Sequence, residues 1–168
     1  MKILLGDIVE MAVDAIVVPA YSDLRSTPGI RQAVFEAADG PRLQAACREL
    51  GSCSIGQAVV TPSCGLPAKY IIHVVGLGWY SGRESERTLY TSCYLRALHK
   101  AVAYGCHIVA LPLMFSGETH IPRTQALQLA LQALQGYEQT HPQLKIKLVL
   151  YKPSIYKMAQ QLLRAKDN

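Results

Sequence analysis

The sequence has five cysteines, Cys47, Cys53, Cys64, Cys93 and Cys106, but no Cys-x-x-Cys pair. An odd count without paired spacing excludes a disulfide framework and a zinc knuckle and leaves reduced, buried thiols. No metal ion and no cofactor is expected. Long apolar runs are also missing. "YIIHVVGLGWY" and "HIVALPLMF" are too short and too interrupted to span a bilayer, so no membrane association is expected. The opening "MKILLGDIVE" meets an acidic residue at Asp7 and lacks the apolar core of a signal peptide. A cytoplasmic location is the expectation. Repeats, linkers and low-complexity tracts are absent, and 168 residues fit a single domain, 1–168.

Charge is sparse as well, at 17% of residues, whereas 50% are hydrophobic and the mean hydropathy is +0.14. That balance supports a packed core and excludes disorder. Seventeen basic against twelve acidic side chains give a net charge of +5. The excess is mild and favours anionic ligands such as phosphates, nucleotides or nucleic acid.

Apolar runs alternate with helical patterns almost to the end. "KILL", "DAIVVPA", "QAVVTPS", "YIIHVVG", "HIVALPL" and "IKLVLY" read as strands. From Gly29, the residues Ile30, Ala33, Val34, Ala37 and Ala38 follow helical spacing, and Leu43, Ala46, Cys47 and Leu50 repeat it. Thr27 fits an N-cap and Pro28 the first helical position. A long helix is expected over Ser85–Tyr104, another from near Pro122, and a last one over Pro153–Arg164. Strands that are continuously apolar imply a sheet covered on both faces by helices. In such sheets ligands bind beyond the carboxyl ends of the strands, which selects the loops after Ala20, Pro112 and Tyr151.

Those loops sit among stretches that carry a family pattern: "GDIVEMAVDAIV", "GIRQAVFEAADG", "IGQAVVTPSCGLPAKYIIHVVG", "LYTSCYLRALHKA" and "IVALPLMFSGETHIP". In their order and register the chain resembles a macro domain over nearly its whole length. The resemblance implies a three-layer α/β/α sandwich around a mixed, mostly parallel sheet. It also implies binding of ADP-ribose or a related nucleotide, free or on an ADP-ribosylated protein; some members hydrolyse ADP-ribose esters. By the same resemblance Asp7 accepts from the adenine amino group, the Ile8 amide donates to the ring, and Tyr151 packs against adenine. The residues alone also allow Asp7 as a turn cap and Tyr151 as cover for the sheet edge. Phe115, Ser116, Gly117, Glu118 and Thr119 match a phosphate loop in which His120 replaces a glycine and Glu118 adds a negative charge.

The remaining element is "DAIVVPAYSDLRSTPGIRQAV", residues 14–34. In hydrolytic macro domains the corresponding strand ends in asparagine-alanine-alanine-asparagine, followed by a glycine-rich turn. Here those positions are Val18, Pro19, Ala20 and Tyr21, and the turn is Ser26, Thr27, Pro28 and Gly29. A helix N-terminus is an anion site, and the amides of Gly29 and Ile30 can serve it, but Pro28 has no N–H to offer. Weak, altered or absent ester hydrolysis is therefore expected. No local signature supports Tyr21 with His120, Cys64 with His73, or His73 alone as nucleophile and base; a structural role is expected of each, and Tyr21 and His120 are the catalytic candidates to test. Lys145, Lys147, Lys152, Lys157, Arg164 and Lys166 supply a competing reading, a non-enzymatic RNA or polyanion module.

Overall fold

The computed structural model describes residues 1–76, 78–116 and 121–165. Strands β1 (Lys2–Leu5), β2 (Ala15–Ala20), β3 (Ala58–Pro62), β4 (Tyr70–Val75), β5 (Ile108–Pro112) and β6 (Lys145–Leu150) form one sheet in the order β1-β6-β5-β2-β4-β3. All neighbours are parallel except β3, which runs antiparallel to β4. Helices α1 (Ile30–Ala37) and α2 (Gly40–Leu50) cover one face, and α3 (Glu84–Ala103), α4 (Arg123–Thr140) and α5 (Pro153–Arg164) cover the other. The three-layer α/β/α sandwich is the fold.

The central strands β2 and β5 are apolar because both of their faces are buried. Along β2, Ile16 and Val18 pack toward α1 and α2, whereas Ala15 and Val17 pack under α3 and α4. Tyr94, Leu98, Leu127, Leu131 and Leu134 fill the larger core, each buried side chain contributing about 1.5–3 kcal/mol. All five cysteines are buried and unpaired. Among the described residues no helix is long and apolar enough to cross a membrane.

The amino ends of the central strands are tied by Asp14. Its Oδ1 lies 2.8 Å from Lys69 Nζ, and its Oδ2 accepts from the His107 and Ile108 amides at 2.8 and 2.9 Å. Chiefly through the Lys69 bond, the Asp14 carboxyl is held down at about 2. This latch lies opposite the carboxyl ends, where ligands bind in sheets of this kind.

Two helix starts differ from expectation. α1 begins at Ile30 with Gly29 as N-cap, not at Pro28 with Thr27 as cap. Gly29 holds φ 94° and ψ −142°, which L side chains rarely adopt, so the chain enters the helix only past it. Likewise Pro122 is the N-cap of α4 rather than its first helical residue, and its carbonyl accepts from Ala126 N at 2.9 Å. The "GDIVEMAV" turn contains one turn of 3₁₀ helix, Ile8–Glu10.

Candidate functional site

A cavity of about 870 Å³ opens at the carboxyl end of the sheet. Its walls come from the chain leaving all five parallel strands: Gly6–Ile8 after β1, Tyr151 and Lys152 after β6, Leu113, Phe115 and Ser116 after β5, Tyr21 after β2, and Gly76 and Gly78–Tyr80 after β4. Parallel neighbours lie about 4.8 Å apart, so this row of strand ends is roughly 19 Å long. The amino end of α1, Thr27 to Arg31, forms the opposing wall. The cavity is therefore an elongated slot with a helix N-terminus along it.

Asp7 and Tyr151 sit together at one end of the slot, because Gly6 N donates to Leu150 O at 3.1 Å where β1 leaves β6. Asp7 is also a cap: its Oδ1 accepts from Val9 N at 3.1 Å. The turn-cap reading of this residue holds, and a carboxylate keeps further acceptor sites after one cap bond. Ile8 is buried beside it. Tyr151 stands just beyond β6 and is 74% exposed along the cavity wall.

Midway along the slot, Gly29 and Ile30 open α1, and Ala20 closes β2. Facing them is the loop after β5. Tyr94 Oη accepts from the Met114 amide at 2.8 Å and Tyr90 Oη donates to the Met114 carbonyl at 3.0 Å. Burial pushes both phenols well above their ordinary pKa, so they stay protonated. Held this way, the chain turns through Phe115 at φ 56°, a left-handed conformation costly for a bulky residue. The Phe115 ring lies against Gly76, where an added Cβ would come within 2.4 Å of it, and edge-on to Tyr90 at 6.3 Å. Ser116 follows, its Oγ donating to Leu113 O at 3.3 Å. Gly117, Glu118, Thr119 and His120 lie outside the described residues.

The far end of the slot is the segment after β4, which sequence reasoning did not select. Trp79 and Tyr80 line the cavity there. The segment is wound around Glu86 of α3, whose carboxylate accepts from the Tyr80, Ser81 and Gly82 amides at 3.3, 3.0 and 2.7 Å. Those amides, Ser81 first, hold the Glu86 carboxyl below its usual range. Only the glycines Gly76 and Gly78 hinted at this segment, by allowing close backbone approach.

The catalytic arrangements fare differently. Tyr21 is on the cavity wall, 45% exposed, with the Arg25 guanidinium 5.5 Å from its ring centre. His73 is fully buried and engaged at both nitrogens, by Arg31 at 3.1 Å and Thr61 at 2.8 Å. Cys64 donates to Pro62 O at 3.6 Å. Cys64 and His73 therefore hold the core roles expected of them. Burial, with Arg31 beside it, lowers the His73 pKa to about 3.

Arg31 was missed, because a charged residue in "GIRQAV" reads as a solvent-facing position. It is 2% exposed yet lines the cavity. Its spacing to Val34 and Ala38 is the only sequence signal that places it on the inner face of α1. Of the basic residues, Lys145 opens β6 and Lys152 lies beyond its far end, roughly 20 Å away along the strand. Lys166 lies outside the described residues.

A Macro domain family model matches residues 17–130. A macro domain-containing protein of Lactiplantibacillus plantarum is 42% identical over 139 residues, covering 83% of this chain and 80% of its own length. A Cronobacter sakazakii protein named O-acetyl-ADP-ribose deacetylase is 35% identical over 167 residues, covering 96% of this chain and 92% of its own. The Oceanobacillus iheyensis macrodomain with ADP is similar at a TM-score of 0.91 and 27% identity, over 98% of this chain and 90% of that one. The order of strands, the paired helical layers and these matches agree, and the chain belongs to the Macro domain family.

Proposed function

We propose that the slot binds ADP-ribose or a closely related nucleotide, free or attached to a protein, and that ester hydrolysis there is slow or absent. The observation that carries this reading is the slot itself. It brings Asp7 and Tyr151 at one end, the α1 amino end in the middle and Tyr21 further along into one elongated cavity. Each part suits one part of such a ligand. Asp7 accepts from the adenine amino group while the Ile8 amide donates to the ring, and Tyr151 lies against the base. Stacking of that kind contributes about 1–3 kcal/mol. The pyrophosphate lies between the Gly29 and Ile30 amides and the loop that starts at Phe115 and Ser116. The helix dipole and free amides favour its charge.

Two relationships support the reading: the similar Oceanobacillus iheyensis macrodomain was captured with ADP, and relatives are named O-acetyl-ADP-ribose deacetylase. Tyr21 argues for reduced hydrolysis. It stands where the resemblance implies an asparagine that positions the distal ribose or a water, and a phenol of pKa about 10 is a poor base at neutral pH.

Calorimetric titration with ADP-ribose tests the binding. The expected result is a saturable one-to-one isotherm. No heat with ADP-ribose, together with strongly salt-dependent binding of single-stranded RNA, would replace this reading with the polyanion one.

A further inference from the structure

The far half of the slot is walled mainly by rings: Tyr21, Trp79, Tyr80 and Phe115 line it. Strands β2 and β4 end side by side, Ala20 opposite Val75, so Tyr21 and the segment carrying Trp79 and Tyr80 leave the sheet together. Tyr80 stands on a firm support. Its amide is fixed on the Glu86 carboxylate with those of Ser81 and Gly82, and the Trp79 ring beside it packs edge-on to Tyr90 at 6.4 Å. The Tyr80 ring folds back over Gly78, where an added Cβ would lie 2.8 Å from its hydroxyl oxygen. Even so, Tyr80 is 86% exposed. A ring presented this way leaves apolar area that a ligand can cover. Groups suited to a bare sugar are not gathered at this end. Ribose hydroxyls in nucleotide sites are commonly held by a carboxylate. Among the described residues, the only carboxylate or carboxamide on the cavity wall is Asp7, at the opposite end.

We propose that the ligand of this slot is a nucleotide whose distal ribose carries an uncharged planar ring, and that Tyr21 and Tyr80 select it by packing against that ring. The inference rests on the reading of the slot as a nucleotide site with adenine at the Asp7 end. Aromatic side chains favour offset or edge-on contact with a second ring, which a bare sugar does not offer. The Arg25 guanidinium already lies 5.5 Å from the Tyr21 ring centre. A ring that faces one cation in this way is a poor partner for a second, so an uncharged substituent fits better than a cationic one. The cavity has room for the added group: its 870 Å³ is near the top of the range for small-ligand sites, about 300–1,000 Å³.

The test is calorimetric titration with ADP-ribose and with NADH, which is the same ADP-ribosyl group bearing an uncharged dihydronicotinamide ring on the distal ribose. Wild type, Tyr21→Ala, Tyr80→Ala and Tyr80→Phe are compared; both positions are exposed enough for the variants to fold. Wild type should bind NADH at least about fivefold more tightly than ADP-ribose, the scale of one stacking contact. Each alanine variant should bring that ratio down toward one, and Tyr80→Phe, which keeps the ring, should preserve it. Wild type that binds ADP-ribose as tightly as NADH overturns the proposal and leaves the nucleotide reading standing. A preference for NADH that either alanine variant retains in full also overturns it, since the added ring would then lie elsewhere. So does loss of the preference in Tyr80→Phe, which would assign the selection to the hydroxyl. Wild type that binds neither ligand overturns both the proposal and the nucleotide reading.

Discussion

Nε2 of His73 and Oγ1 of Thr61 lie 2.8 Å apart across the β3–β4 antiparallel pair, sealed from solvent. With Arg31 on its other nitrogen, the ring is useful to the fold only while neutral, and its folded pKa is down at about 3. An unfolded histidine takes its proton near pH 6.5. The unfolded state therefore binds more protons between these values, and stability falls as pH drops from about 6.5 toward 3. From pH 7 to pH 5 this single ring removes about 2 kcal/mol. Denaturant unfolding of wild type and His73→Gln at both pH values checks it. Equal pH slopes in the two proteins would show that His73 is not the group responsible.

Asp14 acts in the same sense, in a more acidic window. Its folded pKa, about 2, is below the ordinary carboxylate value of 3.8, so its stabilisation is present above that value and is lost as pH falls toward 2. Asp14→Ala removes a carboxylate with three partners and should cost about 2–3 kcal/mol at pH 7. Because the latch is at the other end of the strands, affinity for ADP-ribose should not change. A weaker ligand affinity at full occupancy of the folded state would contradict this separation.

The cap that Asp7 makes and the ligand role proposed for it can be parted by substitution. Asp7→Ala should weaken ADP-ribose binding by about 1.5–3 kcal/mol, the range for a hydrogen bond to a charged group, and it also removes the cap on Val9 N. Asp7→Ser keeps a capping oxygen and should lose the ligand affinity while preserving the melting temperature. Wild-type affinity in Asp7→Ala would take this residue out of the site.

Gly76 is the contact on which the Phe115 wall depends. A methyl group there would meet the ring at 2.4 Å, and Phe115, already at φ 56°, lines the slot, so displacing its ring alters that wall. Gly76→Ala should cost about 1–3 kcal/mol of stability and reduce ADP-ribose affinity about tenfold, while Gly105→Ala, with open space around it, should leave affinity alone. Unaltered binding by Gly76→Ala would mean that the Phe115 ring is not in contact with the ligand.

Much of this architecture is legible in the sequence, for definable reasons. α5 runs over Pro153–Arg164 as expected, because a proline start and one apolar face leave the pattern no other register. The direction of β3 is not written in "QAVVTPS", since an edge strand reads the same either way; its antiparallel pairing is a property of the fold. Pro28 misled at α1 because the preference for proline at a first turn is weaker than the backbone demand of Gly29 at φ 94°. That Asp7 and Tyr151 line one cavity was expected only through the resemblance. Arg31 and Trp79 are tertiary facts: nothing local says that a guanidinium will be buried, or that the chain after β4 will be wound onto Glu86.

Tyr21 decides how much chemistry survives. Its ring is half-exposed on the cavity wall beneath the Arg25 guanidinium, in the place where an asparagine amide would donate and accept at once. A phenol is longer than that amide, and at neutral pH it holds its proton. Losing a positioning group commonly slows an enzyme about a hundredfold. Deacetylation of O-acetyl-ADP-ribose by the wild type should therefore be very slow, and Tyr21→Asn should raise turnover, more so when Ser26, Thr27 and Pro28 are replaced by glycine. The substitutions should leave ADP-ribose affinity within a few-fold, because the proposed adenine end is untouched. Steady-state turnover of the wild type, of Tyr21→Asn and of the combined variant separates the outcomes. Robust wild-type turnover that Tyr21→Asn does not increase would sink the idea and direct the search to His120, whose replacement by alanine should then abolish the activity.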